Sequence, residues 1–357
     1  MIKLRSIFKK PSVRRFRLRA VLIIAAFWSA IDVVVVLVFD TLKQNDRFTI
    51  LLLRETIVFL SSVLMSYFLV VDLRRRLRNY NFLFSLFIKS LVLIAAAFII
   101  NLILYTLNSF SIFGTHLNEA FHHFHSDYAD TRSIFQKIIY WLVLFLVTQL
   151  LFELNEKYSP GVFLDILMGK YVNPKIERRI VMFIDLKDST PIAEKLGSQK
   201  YFLFIREFIY NISNALIEFD GRIYQYVGDE IVVSWSDNLQ NRRKCILSLF
   251  KAHRMLQREQ KNFMRRYKVA PEFRAGIHVG EVTVGEIGVI KKDLAMSGDT
   301  MNTAARIRSA TAELNNDILL SKDFIEDMGL RDWQVQSIGM VELKGKANEI
   351  ELFALAM

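Results

Sequence analysis

The 357-residue sequence is poor in the residues that staple, break or loosen a chain: one cysteine, five prolines and 14 glycines. The lone Cys245 excludes an internal disulfide framework and a Cys-based zinc site, both of which need several thiols. So little Pro and Gly excludes a collagen-like or low-complexity chain. Acidic residues are fewer than basic ones, 36 Asp and Glu against 47 Lys and Arg, leaving a net charge of +11. Apolar residues are plentiful: 52% of the chain is hydrophobic, which excludes a disordered protein. At about 150 residues per domain, the length suggests two domains. A basic chain points to nucleic acid or to an anionic membrane surface, and the distribution of the charge separates the two.

Residues 1–157 hold 19 Lys and Arg against 10 Asp and Glu, a net +9; residues 158–357 hold 28 against 26, a net +2. The excess lies in the more apolar half. That is the pattern of a membrane domain followed by a soluble one, and no nucleic-acid partner is expected. Four apolar stretches have the roughly 20 residues needed to cross a bilayer: Ala20–Phe39, Thr49–Val71, Phe82–Leu104 and Ile134–Leu154. The first is too long for a signal-peptide core and lacks a small-residue cleavage site. Arginine and lysine crowd the tail (Lys3, Arg5, Lys9, Lys10, Arg14, Arg15, Arg17, Arg19) and the loop with Arg74, Arg75, Arg76 and Arg78, whereas connections 40–48 and 105–133 are poor in them. The positive-inside rule then places both termini in the cytoplasm of a multi-pass protein of the cell membrane, the inner membrane of a bacterium. The lipid bilayer is thus an expected partner. Asp32 and Lys89 lie deep in expected spans, as candidates for pairing or ligand sensing; Arg54 and Glu55 lie nearer an end and can snorkel. His116, His122, His123 and His125 fall in an outer loop without a recognised metal-ligand spacing. The expected organisation is a basic tail 1–19, a four-span domain 20–154, a linker 155–178 broken at Ser159-Pro160-Gly161 and Asn173-Pro174, and a soluble domain 179–357.

The soluble half alternates strand-like and helix-like segments. A buried strand is expected over Arg179–Ile184, a helix from Thr190-Pro191 to about Phe219, and strands over Arg222–Val227 and Ile231–Trp235 around a tight turn. A long helix follows over Arg242–Tyr267, then a strand Phe273–Val279, another starting at Glu281–Val284, and a helix Asp299–Thr311. Ile318–Leu320, Val335–Leu343 and Ile350–Leu355 complete the strands. The order β-α-β-β-α-β is that of a ferredoxin-like palm. The fold class expected overall is an α-helical membrane domain plus an α+β palm.

Asp185 closes the first strand and Asp229 sits in the hairpin turn, so a palm brings both carboxylates to one spot. Such a pair suits Mg²⁺, which takes one or two protein carboxylates and completes its shell with phosphate oxygens and water. Two metals there can activate a hydroxyl and stabilise a leaving group. Lys187, Ser189 and Thr190 follow at a helix start, where free N–H groups suit a triphosphate. Taken singly, Asp185 reads as a turn cap, Gly228-Asp229 as a hairpin turn and Ser189 and Thr190 as helix caps. Their joint order is what points to a site.

The segment from Arg179 to the C-terminus resembles the class III nucleotidyl cyclase catalytic domain. The likeness rests on Phe183-Ile184-Asp185-Leu186-Lys187-Asp188-Ser189-Thr190, Val227-Gly228-Asp229-Glu230, Phe273 to Gly280, Gly298-Asp299-Thr300-Met301-Asn302-Thr303-Ala304-Ala305-Arg306 and Leu343-Lys344-Gly345-Lys346. It implies that Asp185 and Asp229 bind two Mg²⁺ or Mn²⁺ ions per site, with the Leu186 carbonyl as an extra ligand. It implies that Asn302 orients the ribose and Arg306 holds the α-phosphate, the two sharing a helix face at i and i+4. Arg274 and Lys346 would contact the triphosphate of a nucleoside triphosphate substrate. The implied reaction is attack of the ribose 3′-hydroxyl on the α-phosphate with expulsion of pyrophosphate, which needs positioning and charge stabilisation rather than a covalent nucleophile. His278 reads as a packed histidine. The family's site lies between two catalytic domains, so a homodimer is implied, its geometry adjustable by the membrane domain.

Base selection departs from the adenine-reading pattern. Gln225 stands where adenylyl cyclases carry Lys, and Ala295 where they carry Asp or Thr, with Ser297 as a substitute partner. ATP is the first choice of substrate; GTP or a pyrimidine nucleotide remains open, because an amide both donates and accepts. Other readings are a catalytically silent membrane receptor that keeps the domain for dimerisation, and a channel or transporter with a nucleotide sensor.

Overall fold

The computed structural model describes residues 12–38, 47–73, 76, 80, 84–96, 98–99, 139, 142–150, 165–166, 168–289, 293–326, 328–329, 334–346 and 348–357. The chain divides into two compact units, the first essentially Arg14–Leu154 and the second Asn155–Met357. The outer-loop histidines, the Ser159-Pro160-Gly161 break and parts of three of the four expected spans lie outside the described residues.

In the first unit, α1 runs over Ser12–Val38 and α2 over Arg47–Tyr67, extended by a π-helical stretch Phe68–Leu73. Trp28, Leu69, Leu73, Leu93, Leu144 and Phe145 form a buried cluster. Trp28 Nε1 donates to Thr148 Oγ1 at 2.9 Å. Other apolar side chains of the same helices, among them Ile23, Leu64 and Leu150, are exposed. Asp32 is buried and Lys89 half-buried. Among the described residues, no helix is long and apolar enough to cross a membrane.

The second unit is built on an eight-stranded mixed sheet. Its elements are β1 Lys175–Leu186, α3 Ser189–Glu218, β2 Arg222–Val227, β3 Glu230–Ser236, α4 Leu239–Tyr267 and β4 Phe273–Ile287, then β5 Asp293–Ser297, α5 Asp299–Glu313, β6 Ile318–Ser321, α6 Lys322–Ile325, β7 Val335–Val341 and β8 Ile350–Leu355. The strand order is β2-β3-β1-β4-β6-β8-β7, with β5 paired to β4. The β-α-β-β-α-β palm is therefore present as β1-α3-β2-β3-α4-β4. Besides small shifts of element ends and the short α6, three differences from the sequence reading concern β1, β4 and β5. β1 starts at Lys175, so Lys175–Arg178, read as linker, pair with Glu281–Val284 of β4. The expected strands Phe273–Val279 and Glu281–Val284 are one strand, because Gly280 continues the ladder opposite Arg179 instead of breaking it. β5, absent from the sequence reading, pairs antiparallel with Thr283–Ile287.

The period of two along β1 splits its side chains between two cores. Ile180, Met182, Ile184 and Leu186 join Phe204, Phe208, Ile212 and Leu216 of α3 and Leu249, Ala252 and Leu256 of α4 in the main core. Val181 and Phe183 face the other way, with Val232, Val282, Val284 and Ala304 of α5. A strand buried on both faces reads as a continuous apolar run, which explains why the segment was legible as a strand but not which residue faced which layer. α4 is capped at its start by Asn238, whose side chain accepts from Asn241 N at 2.8 Å, and ends at Lys268 in the left-handed region. Arg242 ties α4 to α6, donating to the carbonyls of Asp323, Phe324 and Glu326 while paired with Asp237.

Candidate active site

The α5 layer of the sheet carries the candidate carboxylates. Asp185 follows Val181 and Phe183 on that face, and its register partner across β4 is Arg274. Phe183 pairs with Gly276, Val181 with His278 and Arg179 with Gly280, so these β4 positions share the face. Helix α5 lies against the two glycines. A Cβ at Gly276 would stand 2.1 Å from Arg308 N, and one at Gly280 2.5 Å from Thr300 Oγ1. The missing side chains let the helix backbone sit on the strand, which brings Arg308 within reach of the end of β1.

Three acids meet there. Asp229 and Glu230 leave the two-residue hairpin between β2 and β3, in which Val227 pairs with Glu230 and Gly228 holds φ +62°, a conformation that favours glycine. The Arg308 guanidinium bridges the cluster, with Nη1 3.2 Å from Asp185 Oδ2 and Nη2 2.6 Å from Glu230 Oε2. The Asp185 carboxyl is pushed up to about 6, first by burial and then by the adjacent Asp229, against the opposing pull of Arg308. Burial likewise raises Glu230, again opposed by Arg308. Asp229 Oδ2 is buried and has no hydrogen-bond partner. A buried carboxylate oxygen left unpaired beside a second carboxylate is costly unless a cation takes it, so the donor set fits a hard divalent ion. No cage of three or more His, Cys, Asp or Glu is gathered among the described residues.

The remaining expected residues divide around this pocket. Leu186 ends β1 with its side chain buried. The chain then turns into α3 through Asp188, held at φ 55° without a side-chain cap; Asp tolerates this region better than most residues. Ser189 and Thr190 thus open the first turn of α3, four and five residues after Asp185. Pro191 falls in the same turn, where its missing N–H costs nothing. Lys187 Nζ lies 3.3 Å from Glu272 Oε2 and 3.1 Å from Asp317 Oδ1. Its ammonium ties the end of β1 to the segments before β4 and β6, and both acids raise its pKa. Gln225 is exposed on β2 beside a bulge between Ile223 and Gln225. Ala295 and Ser297 lie on β5, paired with Gly285 and Thr283.

Asn302 and Arg306 occupy the other face of α5. At about 100° per residue, Arg308 is rotated roughly 160° from Arg306, so the carboxylate pocket and the Asn302–Arg306 pair cannot be served by one side of the helix. Asn302 is exposed. The Arg306 guanidinium lies against Gly345, where a Cβ would stand 2.7 Å from Nη1 and where φ is +73°. The next residue, Lys346, is ion-paired with Asp299 at the start of α5. His278 is buried between these groups, its Nδ1 2.8 Å from Ser321 Oγ, and burial lowers its pKa. It is a packed histidine, as its sequence context indicated.

Sequence reasoning missed Arg308, Glu230 and Tyr201. Tyr201 of α3 stands near the carboxylates; its hydroxyl is raised by burial first and by Asp229 next, with Ser189 pulling the other way. Glu230 adjoins Asp229, and strand alternation with Val232 is a signal that could have placed it on the α5 face. Arg308 carried no such signal, because its partners come from β1 and β3, more than 70 residues upstream.

The family model described as "Adenylate and Guanylate cyclase catalytic domain" matches residues 172–356. Adenylate cyclase 2 of Rhizobium meliloti is 29% identical over 205 residues, covering 57% of this chain and 56% of that protein. Adenylate cyclase 1 of the same organism is 26% identical over 182 residues, covering 48% of this chain and 26% of that protein. The chain thus spans about half or less of the length of these two relatives. Among solved structures, a bacterial light-regulated adenylyl cyclase aligns with a TM-score of 0.52 at 18% identity, over 60% of this chain and 62% of that one. That likeness concerns the fold.

Proposed function

The chain belongs to the adenylate and guanylate cyclase catalytic-domain family, and from that premise we propose that it is a membrane-anchored cyclase forming cyclic AMP from ATP at a site shared by two copies. The observation that supports this most directly is the division of α5. Asp185 and Asp229 gather on one side of the helix, and Asn302 and Arg306 lie on the other. One chain therefore holds both sets of groups without joining them, and a two-fold pair of chains would join each set to its complement, giving two composite sites.

In such a site Asp185 and Asp229, with the Leu186 carbonyl, would hold Mg²⁺ or Mn²⁺, two ions per site. These ions supply Lewis acidity that eases deprotonation of the 3′-hydroxyl and neutralises the leaving pyrophosphate. The N–H groups of Ser189 and Thr190 at the start of α3 face the triphosphate. Asn302 orients the ribose so that O3′ lies in line with the α-phosphorus. O3′ bonds to that phosphorus as the bond to the bridging oxygen of the β-phosphate breaks, the hydroxyl proton leaves to water, and pyrophosphate departs. Arg306 faces the charge that builds on the α-phosphate oxygens. Arg274 and Lys346 contact the phosphates; in the single chain Lys346 rests on Asp299 and would exchange that partner for the substrate. Lys187 keeps its two carboxylates and supports the loop.

Membrane placement rests on the four apolar runs and the arginine-rich edges of the first half. It is supported by apolar side chains such as Ile23 and Leu64 that remain exposed on their helices. The base contact falls to Gln225, an exposed amide. Offering ATP, GTP, CTP and UTP separately with Mn²⁺ and separating the products tests the reading. Cyclic AMP as the main product is expected. Another cyclic nucleotide overturns the substrate, and no cyclic product from any of the four overturns the activity.

A further inference from the structure

We propose that Arg308 is the resident counter-cation of the carboxylate pocket, holding Asp185 and Glu230 when no metal is bound and competing with the metal for Asp185. This rests on the reading of Asp185 and Asp229 as the metal pair. Three carboxylates converge at the ends of β1 and β3, and the side chain that answers them comes from α5. Its position is fixed from behind, since the Arg308 backbone is packed on Gly276 too closely to admit a Cβ. The Arg308 side chain is 27% exposed, and its Nε is buried without a hydrogen-bond partner. The charge is therefore spent on the two carboxylates rather than on water, in surroundings where such pairs are strong and costly to break.

The two contacts are unequal. Nη2 lies 2.6 Å from Glu230 Oε2 as an ion pair without a hydrogen bond to that oxygen, and Nη1 donates to Asp185 Oδ2 at 3.2 Å. A divalent ion entering beside the unpaired Asp229 Oδ2 must take Asp185 from Nη1, while Glu230 keeps Arg308 anchored. Charge follows the same logic: three carboxylates and one guanidinium leave −2, the complement of one divalent cation. Arg308 is thus a positioning residue that sets how tightly the pocket loads.

The test is Mn²⁺ binding to the purified full chain without nucleotide, read from the electron paramagnetic resonance signal of free Mn²⁺. Arg308→Gln is expected to tighten binding about tenfold, the ratio set by 1.4 kcal/mol. Arg308→Lys, which keeps the charge but loses the planar fork that reaches both carboxylates from one fixed plane, should fall between it and the unaltered chain. Arg274→Gln removes the same charge from the strand position facing Asp185 without removing the bridge, and should gain less. Unchanged or weaker binding in Arg308→Gln, or an equal gain in Arg274→Gln, overturns the proposal. If Arg308→Gln does not fold by circular dichroism, Arg308→Lys carries the test, with a gain expected and no gain overturning it. Asp229→Asn separates the two levels. If Mn²⁺ still binds there as before, or does not bind the unaltered chain, the metal assignment falls and this inference with it. If binding is lost in Asp229→Asn yet Arg308→Gln matches the unaltered chain, only the counter-cation role falls.

Discussion

The two faces of helix α5 are built to opposite plans. On one, Arg308 is locked to Asp185 and Glu230, the backbone is pressed onto Gly276, and the acids are raised by burial. On the other, Asn302 is exposed, and Arg306 rests against a glycine at the Leu343–Lys346 turn. A closed face and an open face thus share one 15-residue helix. Packing and ion pairs gather the carboxylate pocket within one chain but leave Asp229 Oδ2 unpaired. Among the described residues, no hydrogen bond or ion pair engages the Asn302 or Arg306 side chain.

The largest expected effect strikes the closed face. Asp229→Ala removes the carboxylate with the unpaired oxygen, and cyclisation should fall by about 10³-fold or more, while the melting temperature stays or rises because an unfavourable buried charge is gone. Near-normal turnover would remove Asp229 from the site. Next comes the contact that seats the helix. Gly276→Ala drives a Cβ toward Arg308 N and should destabilise the domain by about 1–3 kcal/mol, read as a lowered urea midpoint. An unchanged midpoint would mean that α5 shifts freely, and the rigid distinction between its faces would be lost.

The smallest expected effect concerns His278, beneath the open face. Burial lowers its pKa from 6.5, with Asp323 opposing and Lys346 reinforcing the shift. A base with a lowered folded pKa binds fewer protons folded than unfolded, so its neutral form supports the fold above about pH 6.5 and that support is lost as pH falls below it. Unfolding midpoints of the unaltered chain should therefore drop more than those of His278→Gln between pH 7.5 and 5.5. Parallel curves would show that His278 is not the group responsible.

Much of this was legible because the signals were local. The aspartate closing an apolar strand, the Gly-Asp turn and the i, i+4 spacing of Asn302 and Arg306 are short-range patterns, and each falls where its pattern put it. The palm order follows from the same alternation of strands and helices. What escaped depends on distant partners. Lys187 lies in a matching motif, yet Glu272 and Asp317 occupy it. Nothing near residue 308 announces that β1 and β3 will bring acids to it. The continuity of β4 through Gly280 was misread because a glycine in a strand looks like a break, whereas here it makes room for Thr300.

The central claim is that each reaction site is assembled from the closed face of one chain and the open face of another. Mixing full chains carrying Asp185→Ala with full chains carrying Arg306→Ala tests it most directly. Each is inactive alone, and heterodimers regain one site without either lesion. Activity should return to roughly a quarter of the unaltered level when chains pair at random in a two-fold dimer. If heterodimers form, as shown by co-purification through two different tags, and the mixture stays inactive, the shared site is contradicted.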